Sequence, residues 1–133
     1  MKKVVLFIAF ALCSFITFSQ SRLGYTAEQI KAEFWESSYN LMSSHDSSGN
    51  LYTAIKTNNA FVFYYFNSDN KCIVTFVVPD NQGALNTFVE MYNSRYVILG
   101  PTRWKMYSSG GVADINLVVK EDGRFYFMWT SAN

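Results

Sequence analysis

Cysteine, histidine and net charge are all scarce in this 133-residue chain, and each scarcity removes a class of function. There are two cysteines, Cys13 and Cys72, and a single histidine, His45. Zinc prefers clustered thiolate and imidazole ligands, which this chain cannot supply. No Asp-x-Asp-x-Asp-Gly loop offers calcium its usual carboxylates. No metal or cofactor is therefore expected. The formal net charge is +1, from 11 Lys+Arg against 10 Asp+Glu, so no bulk field attracts nucleic acid or anionic lipid.

What is present first is an N-terminal targeting pattern. Lys2 and Lys3 form a short positive region, residues 4–18 are apolar apart from Cys13, Ser14 and Thr17, and Thr17 and Ser19 stand at −3 and −1 of a cut before Gln20. This predicts a secretory signal peptide over 1–19, with an apolar run shorter than the roughly 20 residues of a spanning helix. Cys13 lacks the small residue just upstream that lipidation requires, because Leu12 stands there. Cleavage leaves residues 20–133 as one domain with Cys72 as its only thiol, hence no internal disulfide. The expected product is a bacterial exported protein, periplasmic or released, with no membrane span in the mature chain.

The mature sequence is punctuated for alternating helices and meanders. Thr26 and Gln29 form a capping box, and Tyr25 with Ile30 occupies the staple positions, so a helix begins at Ala27. Its apolar face takes in Ile30, Phe34, Leu41 and Met42, and the polar stretch 43–50 ends it. Strands are expected at 51–56, 60–66 and 71–78. A second helix, capped by Asp80, runs to about Asn93 with Leu85, Phe88, Val89 and Tyr92 as its stripe. Four more strands follow at 96–99, 103–108, 112–120 and 124–130, the last pair joined by Asp122-Gly123, a dipeptide favoured in type I′ turns. The order α-βββ-α-ββββ predicts a two-layer α+β sandwich, a mainly antiparallel sheet with both helices on one face.

Catalytic candidates are weak. Ser43, His45 and Asp46 gather the residue types of a triad, but a triad converges from separate segments rather than from one loop. Cys72 opens a strand with no histidine nearby to activate it, and it reads as a buried small hydrophobe. Glycoside hydrolysis needs two convergent carboxylates, and no spacing selects a pair among Glu28, Glu33, Asp69, Asp114, Glu121 and Asp122.

Aromatic content is the feature that stands out: 9 Tyr, 3 Trp and 12 Phe in all. Two helices can cover only one face of the sheet. The other face is expected to display part of the set Tyr52, Tyr64, Tyr96, Tyr107 and Tyr126, residues favoured at recognition surfaces. Alternation places Arg103 and Lys105 beside Tyr107. Residues 24–30, Gly-Tyr-Thr-Ala-Glu-Gln-Ile, resemble the Gly-x-Thr opening of small outer-membrane assembly lipoproteins. The chain departs from that pattern in lacking the lipidated cysteine and a Gly-x-Pro after the helix. The element order of the two halves is similar to that of secreted β-lactamase-inhibitory domains. Neither likeness assigns a family. The reading is a small exported binding domain, leaning away from an enzyme, that engages a protein or cell-envelope component and has surface available for self-association. The alternatives are a small secreted hydrolase and an aromatic platform for glycans.

Overall fold

The computed structural model describes residues 22–34 and 41–132; the expected signal peptide and residues 35–40 lie outside them. In chain order the elements are α1 (Ala27–Phe34), β1 (Met42–His45), β2 (Leu51–Lys56), β3 (Ala60–Phe66), β4 (Cys72–Pro79), α2 (Gln82–Arg95), β5 (Val97–Gly100), β6 (Arg103–Ser108), β7 (Gly111–Val119) and β8 (Phe125–Ser131). The strands form one open sheet of order β1-β2-β3-β4-β8-β7-β6-β5, with every neighbouring pair antiparallel. The architecture is thus α+β. Each half is a helix followed by a four-strand meander, and the halves join through their last strands, β4 and β8.

The first half therefore carries one strand more than its sequence predicts. Met42, expected on the first helix, lies in β1 opposite Ala54, and Ser43, Ser44 and His45 pair with Thr53, Tyr52 and Leu51. All four residues of β1 are exposed, so no buried alternation marks the strand. Pairing to β2 holds it, helped by a 3.0 Å hydrogen bond between the Ser43 and Thr53 hydroxyls.

Local chemistry explains the helix ends. The Gln29 N–H donates to Thr26 Oγ1 at 3.2 Å and the Thr26 N–H to Gln29 Oε1 at 2.9 Å, so both halves of the capping box are made. Thr26→Ala should cost about 0.5–2 kcal/mol, and Lys31→Ala on the exposed side much less; urea denaturation midpoints of the two variants check that order. For α2 the cap is Asn81 rather than Asp80: the Ala84 N–H donates to Asn81 Oδ1 at 2.9 Å. Asp80 instead accepts from Lys56 Nζ at 2.7 Å.

The last hairpin also uses a different turn from the one expected. Among the described non-glycine residues only Asn70 has positive φ, so at Asp122-Gly123 the left-handed residue is Gly123 alone, at φ 89°. The Gly123 N–H donates to the Lys120 carbonyl at 3.0 Å and the Lys120 N–H to the Arg124 carbonyl at 2.7 Å. That is a type I turn followed by a left-handed bulge residue, which needs positive φ once where type I′ needs it twice. The β1–β2 and β3–β4 turns repeat the bonding, with Gly49 (φ 85°) and Asn70 (φ 60°) in the left-handed position.

The core lies between the helices and one face of the sheet. Registers place Ile55, Val62, Val77, Phe127, Ile115 and Trp104 on that face. They form one buried cluster with Ile30 and Phe34 of α1 and Leu85, Phe88 and Tyr92 of α2. Arg22 is buried beside α1 without being a stray charge. Its Nε donates to Glu33 Oε2 at 2.6 Å, and its guanidinium lies over the Tyr25 and Phe34 rings, which offsets the cost of removing it from water.

Candidate functional site

The face turned away from the helices is built mainly by β2, β3, β4 and β8. Tyr52 is in register with Tyr65, Phe63 with Phe76 and Phe76 with Met128, so their side chains share that face. The rings form a continuous ladder. Tyr52 stacks on Tyr65 at 5.4 Å and 29°, Tyr65 meets Phe76 edge-on at 5.6 Å, and Phe76 meets Tyr126 edge-on at 5.5 Å. Phe63 links the ladder to Phe61, stacked at 6.1 Å, and tilts against Tyr52 at 6.0 Å.

Phe61 is exposed, and the remaining rings of this ladder are half-buried. They hide one another laterally, while among the described residues neither helix packs over them. Cross-strand aromatic contacts of this kind contribute to sheet stability. The ladder is therefore both structural and a pre-ordered apolar surface.

Two cations border it. Lys56 Nζ sits 5.3 Å from the Phe61 ring centre while bonded to Asp80, and Lys120 Nζ sits 6.0 Å from that of Tyr126. A concavity of about 470 Å³ shares Tyr126 with the ladder and is also lined by Val78, Pro79, Lys120, Asp122, Gly123, Arg124 and Phe125. Burial pushes the Tyr65 phenol up, with the Asp46 carboxylate adding to it, so this hydroxyl stays a neutral hydrogen-bonding group on the open face.

The expected site residues fall in three places. Tyr52 and Tyr126 stand at the two ends of the ladder. Arg103, Lys105 and Tyr107 lie on β6, in register with Asn116, Asp114 and Val112, and form a polar wing of the same face; Lys105 Nζ is 3.6 Å from Asp114 Oδ1. Tyr64 and Tyr96 belong elsewhere. Tyr64 is fully buried in the core under the helices. Tyr96 caps α2 and packs against Tyr92 and Trp129. The uniformly aromatic run 61–66 conceals its own phase, and it is Phe61, Phe63 and Tyr65 that reach the open face. Lys56 was the available signal: it pairs with Phe61 across a short turn, and a lysine marks the wet side.

Asp46 and Cys72 have structural roles. Asp46 accepts from the Ser48 and Asn50 N–H groups, both at 2.9 Å, and from the Asn50 side chain at 3.2 Å. Those bonds, the Asn50 backbone foremost, hold its carboxyl below the usual range, and they commit it to the turn rather than to His45. Cys72 is buried, its Sγ 3.6 Å from Thr75 Oγ1 and from the Val74 carbonyl. Burial pushes its thiol up, away from the thiolate a nucleophile requires. Among the described residues there is no group of three His, Cys, Asp or Glu placed to hold a metal, and no helix is long and apolar enough to cross a membrane.

No protein-family model, curated protein or solved structure matches this chain. The functional reading rests on the surface itself.

Proposed function

We propose that the chain is a small exported binding domain that uses its aromatic ladder, flanked by the β6 wing, to engage a protein or cell-envelope component without catalysis. The observation that carries this is the ladder from Tyr52 through Tyr65 and Phe76 to Tyr126 on the face turned away from α1 and α2. Large, rigid rings with polar tips give contact area at little entropic cost, which is why tyrosine is enriched where partners bind. Export is proposed from the Lys2-Lys3, apolar run and Thr17-x-Ser19 pattern; an intact mass beginning at Gln20 supports it, and a lipid on Cys13 overturns it.

The test of the binding role is the double variant Tyr52→Ser, Tyr126→Ser. Immobilised wild-type protein should retain purified envelope proteins or cell-wall glycans, and the variant should hold them at least about tenfold more weakly. Near-UV circular dichroism should be unchanged. Retention of both classes undiminished in the variant, or by neither protein, removes the proposal; retention of glycans alone selects the glycan platform over a protein partner.

A further inference from the structure

Among the described residues, the outer edge of β5 is an uncovered apolar strip. The sheet order ends there, so Val97–Gly100 pairs with β6 on one side only. Val97, Ile98 and Leu99 are 49%, 55% and 47% exposed. Successive residues of a strand point to opposite faces, so the edge is apolar above and below the sheet. Natural sheets guard such edges with charges, proline or bulges. Here a bulge falls between Ile98 and Gly100 and Pro101 follows, yet residues 97–99 carry no charge. The opposite edge differs: after Met42, β1 presents Ser43, Ser44 and His45.

We propose that β5 pairs antiparallel with β5 of a second copy of this chain, about a two-fold axis through Ile98. In that register Val97 stands opposite Leu99 of the second copy, and Ile98 opposite its own counterpart, so apolar side chains meet apolar ones. Arg95, the charge nearest the strand in sequence, ends α2 and lies outside the paired segment. Residues 97–99 bring no like charge to the pairing. Joining β5 to β1 instead would set the apolar strip against Ser43, Ser44 and His45 and would leave free edges that grow into filaments.

An antiparallel edge pair has its two-fold axis perpendicular to the sheet. Both pairs of helices therefore lie on one side of a continuous sheet and both aromatic ladders on the other. The pairing itself is independent of the binding role proposed above; only its consequence, a bivalent surface with higher avidity, rests on that reading. A strand of four residues buries less than the roughly 1,200–2,000 Å² of a standard interface, so the dimer forms by concentration and is not obligate.

Sedimentation equilibrium of the purified protein tests this between about 10 μM and about 1 mM, the range suited to a small interface. Wild type should rise from one chain mass to two and stop there. Ile98→Lys should stay at one chain mass, since it sets two ammonium groups face to face on the axis, and an equimolar mixture with Ile98→Glu should recover the doubled mass. Ser44→Lys, on the other edge, should match wild type. If Ile98→Lys loses the native near-UV signal, Val97→Lys takes its place. Wild type at one chain mass throughout, or a folded β5 variant that doubles as readily as wild type, overturns the proposal. Mass climbing past two chains together with its loss in Ser44→Lys also overturns it, in favour of β1–β5 filaments.

Discussion

Replacing Tyr92 with alanine should cost about 3–5 kcal/mol, a large share of the 5–15 kcal/mol that holds a typical domain together. Tyr92 is fully buried on the inner face of α2. Its ring centre lies 4.8 Å from that of Phe127, 5.6 Å from those of Trp104 and Trp129, and 5.5 Å from that of Tyr96. Phe88, one turn earlier on the helix, adds a contact at 6.0 Å. The contacts with Phe127, Trp104 and Trp129 are near edge-to-face, the arrangement ring quadrupoles prefer. They tie the helix to β6 and β8 at once, so truncation removes transfer energy and leaves a cavity whose walls belong to three elements. Tyr126→Ala, on the half-exposed ladder, should cost less than half as much. Urea denaturation of both variants checks the comparison, and equal losses would mean that the ladder shares the role of the core.

The same ring set shows which parts of the fold were legible in the sequence. Phe88 and Tyr92 follow the 3.6-residue period, and the strands 51–56, 60–66 and 103–108 have the bounds their composition predicts, because each is flanked by turn formers that cannot continue it. The capping box at Thr26 was equally readable, since both of its bonds are local. β1 was not. Three of its four residues, Ser43, Ser44 and His45, are polar, all four are exposed, and what makes them a strand is a neighbour ten residues away. The phase of 61–66 was hidden for a related reason: alternation carries information only when alternate residues differ, and here every position suits either face. The surface was therefore predictable as a class, an aromatic face opposite the helices, but assignable by residue only once the β2–β3 register was known. Tyr52 and Tyr126 fell on it and Tyr64 did not. Asp122-Gly123 carries a similar lesson: the dipeptide marks a hairpin, while loop length decides which turn it makes.

Raising the pH above about 10, the ordinary tyrosine pKa, should unfold the domain steeply, and the two tyrosines buried in the core should account for most of the slope. Burial pushes the Tyr64 phenol far up, with the nearby Arg22 charge opposing only in part. Burial also raises Tyr92 well above its usual value. A group whose folded pKa exceeds its unfolded one contributes stability in full below the unfolded pKa and loses it as the pH climbs toward the folded value. In the unfolded chain both phenols release protons near pH 10, whereas in the folded domain both keep them, so the unfolded state binds fewer protons and stability falls with rising pH. Each group contributes about 1.4 kcal/mol per pH unit in that window, and the pair roughly 2.7 kcal/mol. Urea midpoints measured from neutral pH to about pH 11.5 should be flat with respect to these two groups until the window opens, and then fall. Tyr64→Phe should remove about half of the slope, because its ring still fills the core but has no proton to lose. An alkaline slope that is the same in Tyr64→Phe and Tyr92→Phe as in wild type would show that the loss comes from other groups and that these hydroxyls reach solvent in the native state.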